Sequence, residues 1–280
     1  MIPKTIYQSW KTKTLPDKMR ENVDLLIEMN PDYAHILFDD SECRSLLLEH
    51  FGINYANAFD SLIPGAFKCD LWRYAMLYLY GGIYLDIDIK PILPFREILK
   101  DDATFVSVAD RSIMTMKCGM YQAFIACTPK HPIMLYALQL SFANIVTRRN
   151  EIFDTLSITG PIVAGIALNL YWEKKNPYEE IKPGKYGSVL LFQTDGEFNR
   201  DGDGKKLLQD KFEGYERGIL DYNTMKSPYR DDPRAKIRKI IYCVIGLIFV
   251  VAIGGIIYSY YFKKKYNQCL SDSMSSIDLS

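Results

Sequence analysis

The chain has 280 residues with 34 basic and 34 acidic side chains, so its formal net charge is zero. That balance excludes a surface built to neutralise a nucleic-acid backbone, which needs a basic excess. With 48% hydrophobic and 24% charged residues, the composition is that of a packed chain rather than a disordered one.

In chain order, Ile2 to Trp10 reads as a first strand. Pro16 to Met29 reads as a helix with Pro16 in its first turn and Leu25, Leu26 and Met29 on one side. Tyr33 to Phe38 is a short apolar strand. Asp40 is the expected N-cap of a helix carrying Leu46, Leu47 and Leu48. Pro64 opens a longer helix to Tyr80, closed by Gly81-Gly82. Strands are expected at 83–89, 104–108, 120–126 and 188–192, and helices at 131–147 and 161–172. Strands alternating with helices predict an α/β architecture with a mixed, mostly parallel sheet. One domain over residues 1–235 is long enough to bury such a core.

Ile240 to Phe262 follows, 23 residues without a charged side chain. As a helix it would be roughly 35 Å long, enough to cross a hydrocarbon core of about 30 Å. Lysines and arginines flank it, and Tyr242, Tyr258, Tyr260 and Tyr261 sit near its ends, where amphipathic rings favour the headgroup level. The expectation is a C-terminal transmembrane helix in a lipid bilayer, followed by a polar tail over 263–280. Residues 1–30 hold no apolar signal-peptide run, and basic residues are more numerous on the N-terminal side of the span. Both point to an endomembrane protein of ER or Golgi type with its N-terminal domain in the cytosol. The cysteines at 43, 69, 118, 127, 243 and 269 show no metal-ligand spacing and read as reduced thiols.

The most informative stretch is Gly81-Gly82-Ile83-Tyr84-Leu85-Asp86-Ile87-Asp88-Ile89. On a strand, Asp86 and Asp88 share one face, about 7 Å apart at Cα, and Leu85, Ile87 and Ile89 face the other way. Two neighbouring carboxylates are costly unless a cation neutralises them, and a hard divalent ion that also holds phosphates suits them. A second Asp-x-Asp, Asp201 and Asp203, lies in a polar, glycine-rich segment and reads as a turn. It fails as a calcium loop, with Arg200 and Lys206 where glycine and glutamate are required. A haloacid-dehalogenase-type phosphatase also uses Asp-x-Asp after an apolar strand. Such enzymes carry Thr or Val four positions after the first aspartate, where this chain has Lys90.

Three segments carry a family resemblance: Ile2 to Trp10, Ala66 to Tyr74, and Leu77 to Asp88. They resemble the glycosyltransferases that include the yeast initiating α-1,6-mannosyltransferase, the inositol-phosphoceramide mannosyltransferases, and bacterial and giant-virus relatives. The resemblance implies a GT-A type fold, a GDP- or UDP-hexose donor, Mn²⁺ or Mg²⁺, and retention of anomeric configuration. It assigns Asp86 and Asp88 to the metal and the donor diphosphate, as the catalytic pair. Trp10 would stack on the nucleotide base, or else serve as a core tryptophan. Asp70 and Arg73, on one face of their helix, would contact donor sugar and phosphate, or form a plain helix ion pair. Tyr84 would line the donor pocket, and Lys68 also matches the motif.

The chain departs from many relatives in lacking a late histidine. His131, between Lys130 and Pro132, reads as a surface or cap residue. Asn223 is the nearest substitute as third metal contact, and Ser227 and Tyr229 are candidates for a further pocket. Thr159-Gly160-Pro161 resembles the family's turn before a helix, and equally fits a plain helix start. The implied activity is hexose transfer, with mannose first and galactose or glucose as alternatives. The acceptor would be a membrane-associated glycan, glycolipid or glycoprotein. The competing readings are a catalytically inactive, membrane-anchored sugar-nucleotide binder and an interaction scaffold.

Overall fold

The computed structural model describes residues 1–100, 102–110, 117–148, 155–210 and 229. The chain divides into two units, Met1–Arg230 and Asp231–Ser280. The expected span and tail, Asn223 and Ser227 lie outside the described residues. Among those described, no helix is long and apolar enough to cross a membrane.

The first half runs β1 (Thr5–Ser9), α1 (Asp17–Met29), β2 (Ala34–Phe38), α2 (Asp40–Phe51), α3 (Ile53–Ser61), α4 (Gly65–Tyr80) and β3 (Gly82–Leu85). It continues with β4 (Lys90–Pro91), α5 (Phe95–Ile98), β5 (Phe105–Ala109), β6 (Met120–Cys127), α6 (Pro132–Val146) and α7 (Pro161–Tyr171). Four short strands close the described part: β7 (Gly184–Tyr186), β8 (Val189–Thr194), β9 (Phe198–Arg200) and β10 (Lys206–Gln209).

The sheet follows the order β2-β1-β3-β6-β5-β8-β9-β10-β4, with β7 paired to β8. It is mixed, as expected, but not mostly parallel. β1 runs parallel to β2 and β3, and β5 to β8, whereas the other six pairings are antiparallel. For four of the six, β5 with β6, β7 with β8, β8 with β9 and β9 with β10, the reason is connection length. Parallel neighbours need a crossover of about a dozen residues or more, usually a helix. Only ten residues separate β5 from β6, and fewer separate β7 from β8, β8 from β9 and β9 from β10. The Asp195 turn between β8 and β9 shows how: its carboxylate accepts from the Glu197 and Phe198 amides at 2.9 and 2.7 Å.

Alternation along the strands divides the core. Ile83 and Leu85 of β3 pack on one face with Phe124, Ala126, Phe95 and Leu26. Tyr84, between them, packs on the other with Ile125, Leu71, Trp72 and Ala137 from β6, α4 and α6. α4 is the central helix of that second layer, with Asp70 through Leu77 all buried.

Its C-terminal stop is sharp. Gly81 caps α4 at φ 63° and its amide donates to the Leu77 carbonyl at 2.9 Å. Gly82 follows at φ 91°, and a β-carbon there would stand 2.7 Å from the Thr5 carbonyl oxygen. Only glycine fits that conformation and approach, so the Gly-Gly pair turns the helix directly into β3 against β1.

Two boundaries move from expectation. The N-cap of α2 is Asp39, not Asp40: its carboxylate accepts from the Glu42 amide at 2.9 Å, and Glu42 accepts from the Asp39 amide at 3.0 Å. That reciprocal capping box outcompetes the next aspartate. The strand expected over 83–89 ends at Leu85. Asp86 to Ile89 forms a turn closed by the Ile89 amide on the Asp86 carbonyl at 3.1 Å.

Candidate active site

Asp86 and Asp88 therefore stand on a turn beyond the carboxyl end of β3, not on the strand. The strand's facing still governs Asp86, which lies two residues after Tyr84. The Tyr84 hydroxyl donates to Asp86 Oδ1 in a short hydrogen bond. Arg73 Nη2 donates to the same oxygen at 3.0 Å and to the Tyr84 hydroxyl oxygen at 3.0 Å. The guanidinium also lies over the Tyr84 ring, 4.1 Å from its centroid.

Arg73 Nη1 donates to the Gln122 carbonyl at 3.0 Å and lies 3.3 Å from Asp70 Oδ1. The helix ion pair of the plainer reading is therefore present, and it is buried: the Arg73 and Asp70 side chains are 5% and 1% accessible, against 34% for Asp86. Burial disfavours the Arg73 charge, but Tyr84, Cys69, Asp86 and Asp70 outweigh it and hold the guanidinium above its ordinary pKa. Burial pushes the Tyr84 phenol up, so it stays a neutral donor.

Several members of this network escape sequence reasoning. Thr159 Oγ1 donates to Asp70 Oδ2 at 2.8 Å, so Thr159 acts through its hydroxyl. The Thr159 carbonyl accepts from the Tyr74 hydroxyl at 2.8 Å and from Gln122 Nε2 at 3.2 Å. Cys69 Sγ lies 3.0 Å from the Tyr84 hydroxyl and 3.1 Å from Ser9 Oγ. Because the Tyr84 proton goes to Asp86, the order that serves each donor runs Ser9 to Cys69 to Tyr84 to Asp86. Nothing in local spacing announces Gln122 or Ser9, and the sequence marks Thr159 only as part of the turn Thr159-Gly160-Pro161, not as a partner of Asp70. Asn22, which binds the Asp86–Ile89 turn, does leave a signal: it is polar on the buried face of α1, among Met19, Val23 and Leu26.

The remaining candidates are placed differently. Trp10 follows β1 directly and is half-buried, packed against the cluster of Leu15, Met19, Val23 and Ile87, and its indole N–H is buried without a hydrogen-bond partner among the described residues. That position beside Ile87 serves both readings of the residue. Lys68 sits in a structural ion pair with Asp40 at 3.5 Å and over the Phe59 ring. Tyr229 is buried; its hydroxyl donates to the Asn144 carbonyl at 3.2 Å and Arg148 lies over its ring. Those contacts are with α6 and its C-terminal end, not with the Arg73 network. His131 is the N-cap of α6, as one reading had it, but is buried rather than on the surface. Asp201 and Asp203 form the expected turn, the Asp201 carboxylate accepting from the Asp203 and Lys205 amides at 3.0 and 2.9 Å.

The donor set fits a hard cation. The two aspartates offer oxygen, and Asp86 Oδ2 takes no hydrogen bond from the described residues. Cys69 is no soft competitor, because burial raises its thiol pKa and keeps it protonated. Among the described residues, no three His, Cys, Asp or Glu side chains gather into a fuller shell.

Residues 16–105, which hold Asp70, Arg73, Tyr84, Asp86 and Asp88, match the family described as "Glycosyltransferase sugar-binding region containing DXD motif". This segment belongs to the DXD glycosyltransferase family. A family of that motif implies a divalent cation in general.

The chain is 27% identical over 202 residues to the inositol phosphoceramide mannosyltransferase 2 of Schizosaccharomyces pombe, covering 72% of this chain and 55% of that protein. It is 28% identical over 117 residues to the initiation-specific alpha-1,6-mannosyltransferase of Candida albicans, covering 40% and 30%. An uncharacterized glycosyltransferase of Acanthamoeba polyphaga mimivirus is 26% identical over 183 residues, covering 65% and 70%. The chain thus spans about half the length of the S. pombe relative. Among solved structures, PaToxG Glycosyltransferase superposes with a TM-score of 0.49 at 21% identity, covering 61% of this chain and 70% of that one.

Proposed function

We propose that the chain is a metal-dependent, retaining glycosyltransferase of GT-A type. It would move a hexose, mannose first, from a GDP- or UDP-sugar to a membrane-associated glycan, glycolipid or glycoprotein. The observation that carries the reading is the Asp86–Asp88 turn, tied through Asp86 Oδ1 to Arg73 and Tyr84 inside the matched segment. The preference for mannose rests on relatives named as mannosyltransferases.

Asp86 and Asp88 would hold Mn²⁺ or Mg²⁺, with Asn223 as a third contact. A bound cation stabilises the negative charge that develops on a nucleoside diphosphate as it leaves. The rest is the work of this chain's own residues. Arg73 and Tyr84 fix one oxygen of Asp86, which leaves the other to coordinate. Asp70 is buried between Arg73 and Thr159, so its carboxylate holds the guanidinium that binds Asp86. Residues 240–262 would anchor the protein in an endomembrane with the catalytic unit facing the cytosol, close to a membrane-borne acceptor. Protease protection of that unit in sealed microsomes would overturn this orientation.

The deciding experiment is a donor screen of the purified full chain with Mn²⁺, scoring nucleotide release with and without a chelator. Release from one hexose donor, lost on chelation, is the expected result. Donor binding by calorimetry without any turnover would favour the inactive binder instead.

A further inference from the structure

The Asp86–Ile89 turn lies past the end of β3, so strand pairing does not satisfy its carbonyl groups. The Asp86 carbonyl accepts from the Ile89 amide within the turn, and side-chain amides serve the carbonyls of Ile87 and Ile89. Asn22 Nδ2 donates to the Ile87 carbonyl at 3.0 Å and to the Ile89 carbonyl at 2.9 Å, using both of its protons. Gln8 Nε2 lies 3.5 Å from the Asp86 carbonyl, and its Oε1 is 2.9 Å from His35 Nε2. Asn22 and Gln8 are both buried. Asn22 occupies a position of α1 whose helical neighbours Met19 and Val23 pack with Ile87.

A buried amide at an apolar position costs free energy unless both of its groups find partners. Here the donors meet the two carbonyls that bracket Asp88. The bond to the Ile87 carbonyl sets the peptide plane before Asp88, the Ile89 amide on the Asp86 carbonyl at 3.1 Å holds the plane after it, and the bond to the Ile89 carbonyl fixes the next plane, so the direction in which the Asp88 side chain leaves the backbone is set from both sides.

We propose that Asn22 is a positioning residue for the divalent-cation site, acting on Asp88 through the Ile87 and Ile89 carbonyls, with Gln8 in a supporting role at Asp86. The proposal rests on the metal-dependent reading above. Outer partners that orient metal ligands typically affect metal affinity by about 10–100-fold when changed. Asn22→Asp keeps the size and removes both donors; Asn22→Leu keeps the branching at Cγ, in a larger side chain, and removes all polarity. Asn22→Gln retains the donors on a longer stem.

The test is Mn²⁺ binding by the full chain, read from the free-ion paramagnetic resonance signal, with a thermal melt of each variant. The expected result is a dissociation constant raised about tenfold or more in the Asp and Leu variants, partly recovered in the Gln variant, each with a cooperative melt. Folded Asp and Leu variants that bind Mn²⁺ like the unaltered chain overturn the proposal. If those two variants do not fold, the Asn22 side-chain amide signals of the unaltered chain decide. Their shift on Mg²⁺ addition, with the midpoint of the Ile89 amide, supports the clamp, and their indifference overturns it. An unaltered chain that binds no Mn²⁺ refutes the metal reading itself, a result distinct from failure of the clamp alone.

Discussion

Arg73 Nη2 lies 3.0 Å from Asp86 Oδ1, joining α4 to the turn that follows β3. The same guanidinium reaches Asp70, Tyr84 and the Gln122 carbonyl, so one side chain connects both aspartates, the tyrosine and β6. Such a hub depends on a planar fork of five N–H donors. Arg73→Lys keeps a charge but not the fork, and the expected loss in nucleotide release is about 100-fold or more. Arg73→Met leaves Asp70 buried without its cation. It should cost roughly 3–5 kcal/mol in urea unfolding.

Asp88→Asn keeps the shape of the turn and removes a carboxylate. Turnover should vanish while the thermal melt stays at its original midpoint. Full transfer activity in this variant would refute the metal assignment.

Tyr84→Phe leaves Arg73 and Asp86 in contact with each other but takes away the hydroxyl that both share. Hydrogen bonds to charged groups contribute about 1.5–3 kcal/mol, and chemical denaturation should show a loss in that range. A stability equal to the unaltered chain would mean that water replaces the hydroxyl.

Gly82→Ala puts a β-carbon 2.7 Å from the Thr5 carbonyl oxygen, on a residue at φ 91°. Conformational strain and overpacking together should cost about 2 kcal/mol or more. Because β3 delivers the Asp86 turn, donor binding should weaken as well, measurable by calorimetry. Gly202→Ala, where no atom lies within 4 Å, is the control.

His131 gives the fold a pH dependence. Its ring lies between Phe105 and Tyr171, and its Nδ1 accepts from the Ile133 amide as the N-cap of α6. Burial lowers its pKa from 6.5 to about 4. Between those values the unfolded chain binds the extra proton. This contribution to stability is therefore complete above about pH 6.5 and is lost as pH falls towards 4. Unfolding free energies measured across that window should show the slope of up to about one proton. His131→Asn, which still caps but does not titrate, should flatten it.

Much of the architecture was legible in local pattern. The helix from Pro64, its glycine stop, and the shared facing of Tyr84 and Asp86 follow from capping rules and strand alternation. The strand direction did not follow, because a hydrophobic run carries no record of which neighbour it pairs with. Short strands such as β9 and β10 also fell below what alternation can signal. The extent of β3 was overread for a related reason. The sequence Leu85-Asp86-Ile87-Asp88-Ile89 alternates like a strand, and its burial alternates too, but its backbone closes a turn.

For the site, spacing named the charged residues but not their company. Asp70, Arg73, Tyr84, Asp86 and Asp88 lie within nineteen positions of one another, so helix and strand periods could place them. Their partners are distant in the chain: Thr159 is 89 residues from Asp70, Gln122 is 49 from Arg73, and Asn22 is 65 and 67 from the turn carbonyls it binds. Local patterning orients a side chain relative to its own element. Which oxygen meets which donor across two layers is decided only when the helices pack onto the sheet, because a buried polar group takes whatever complementary atom the packing brings to it.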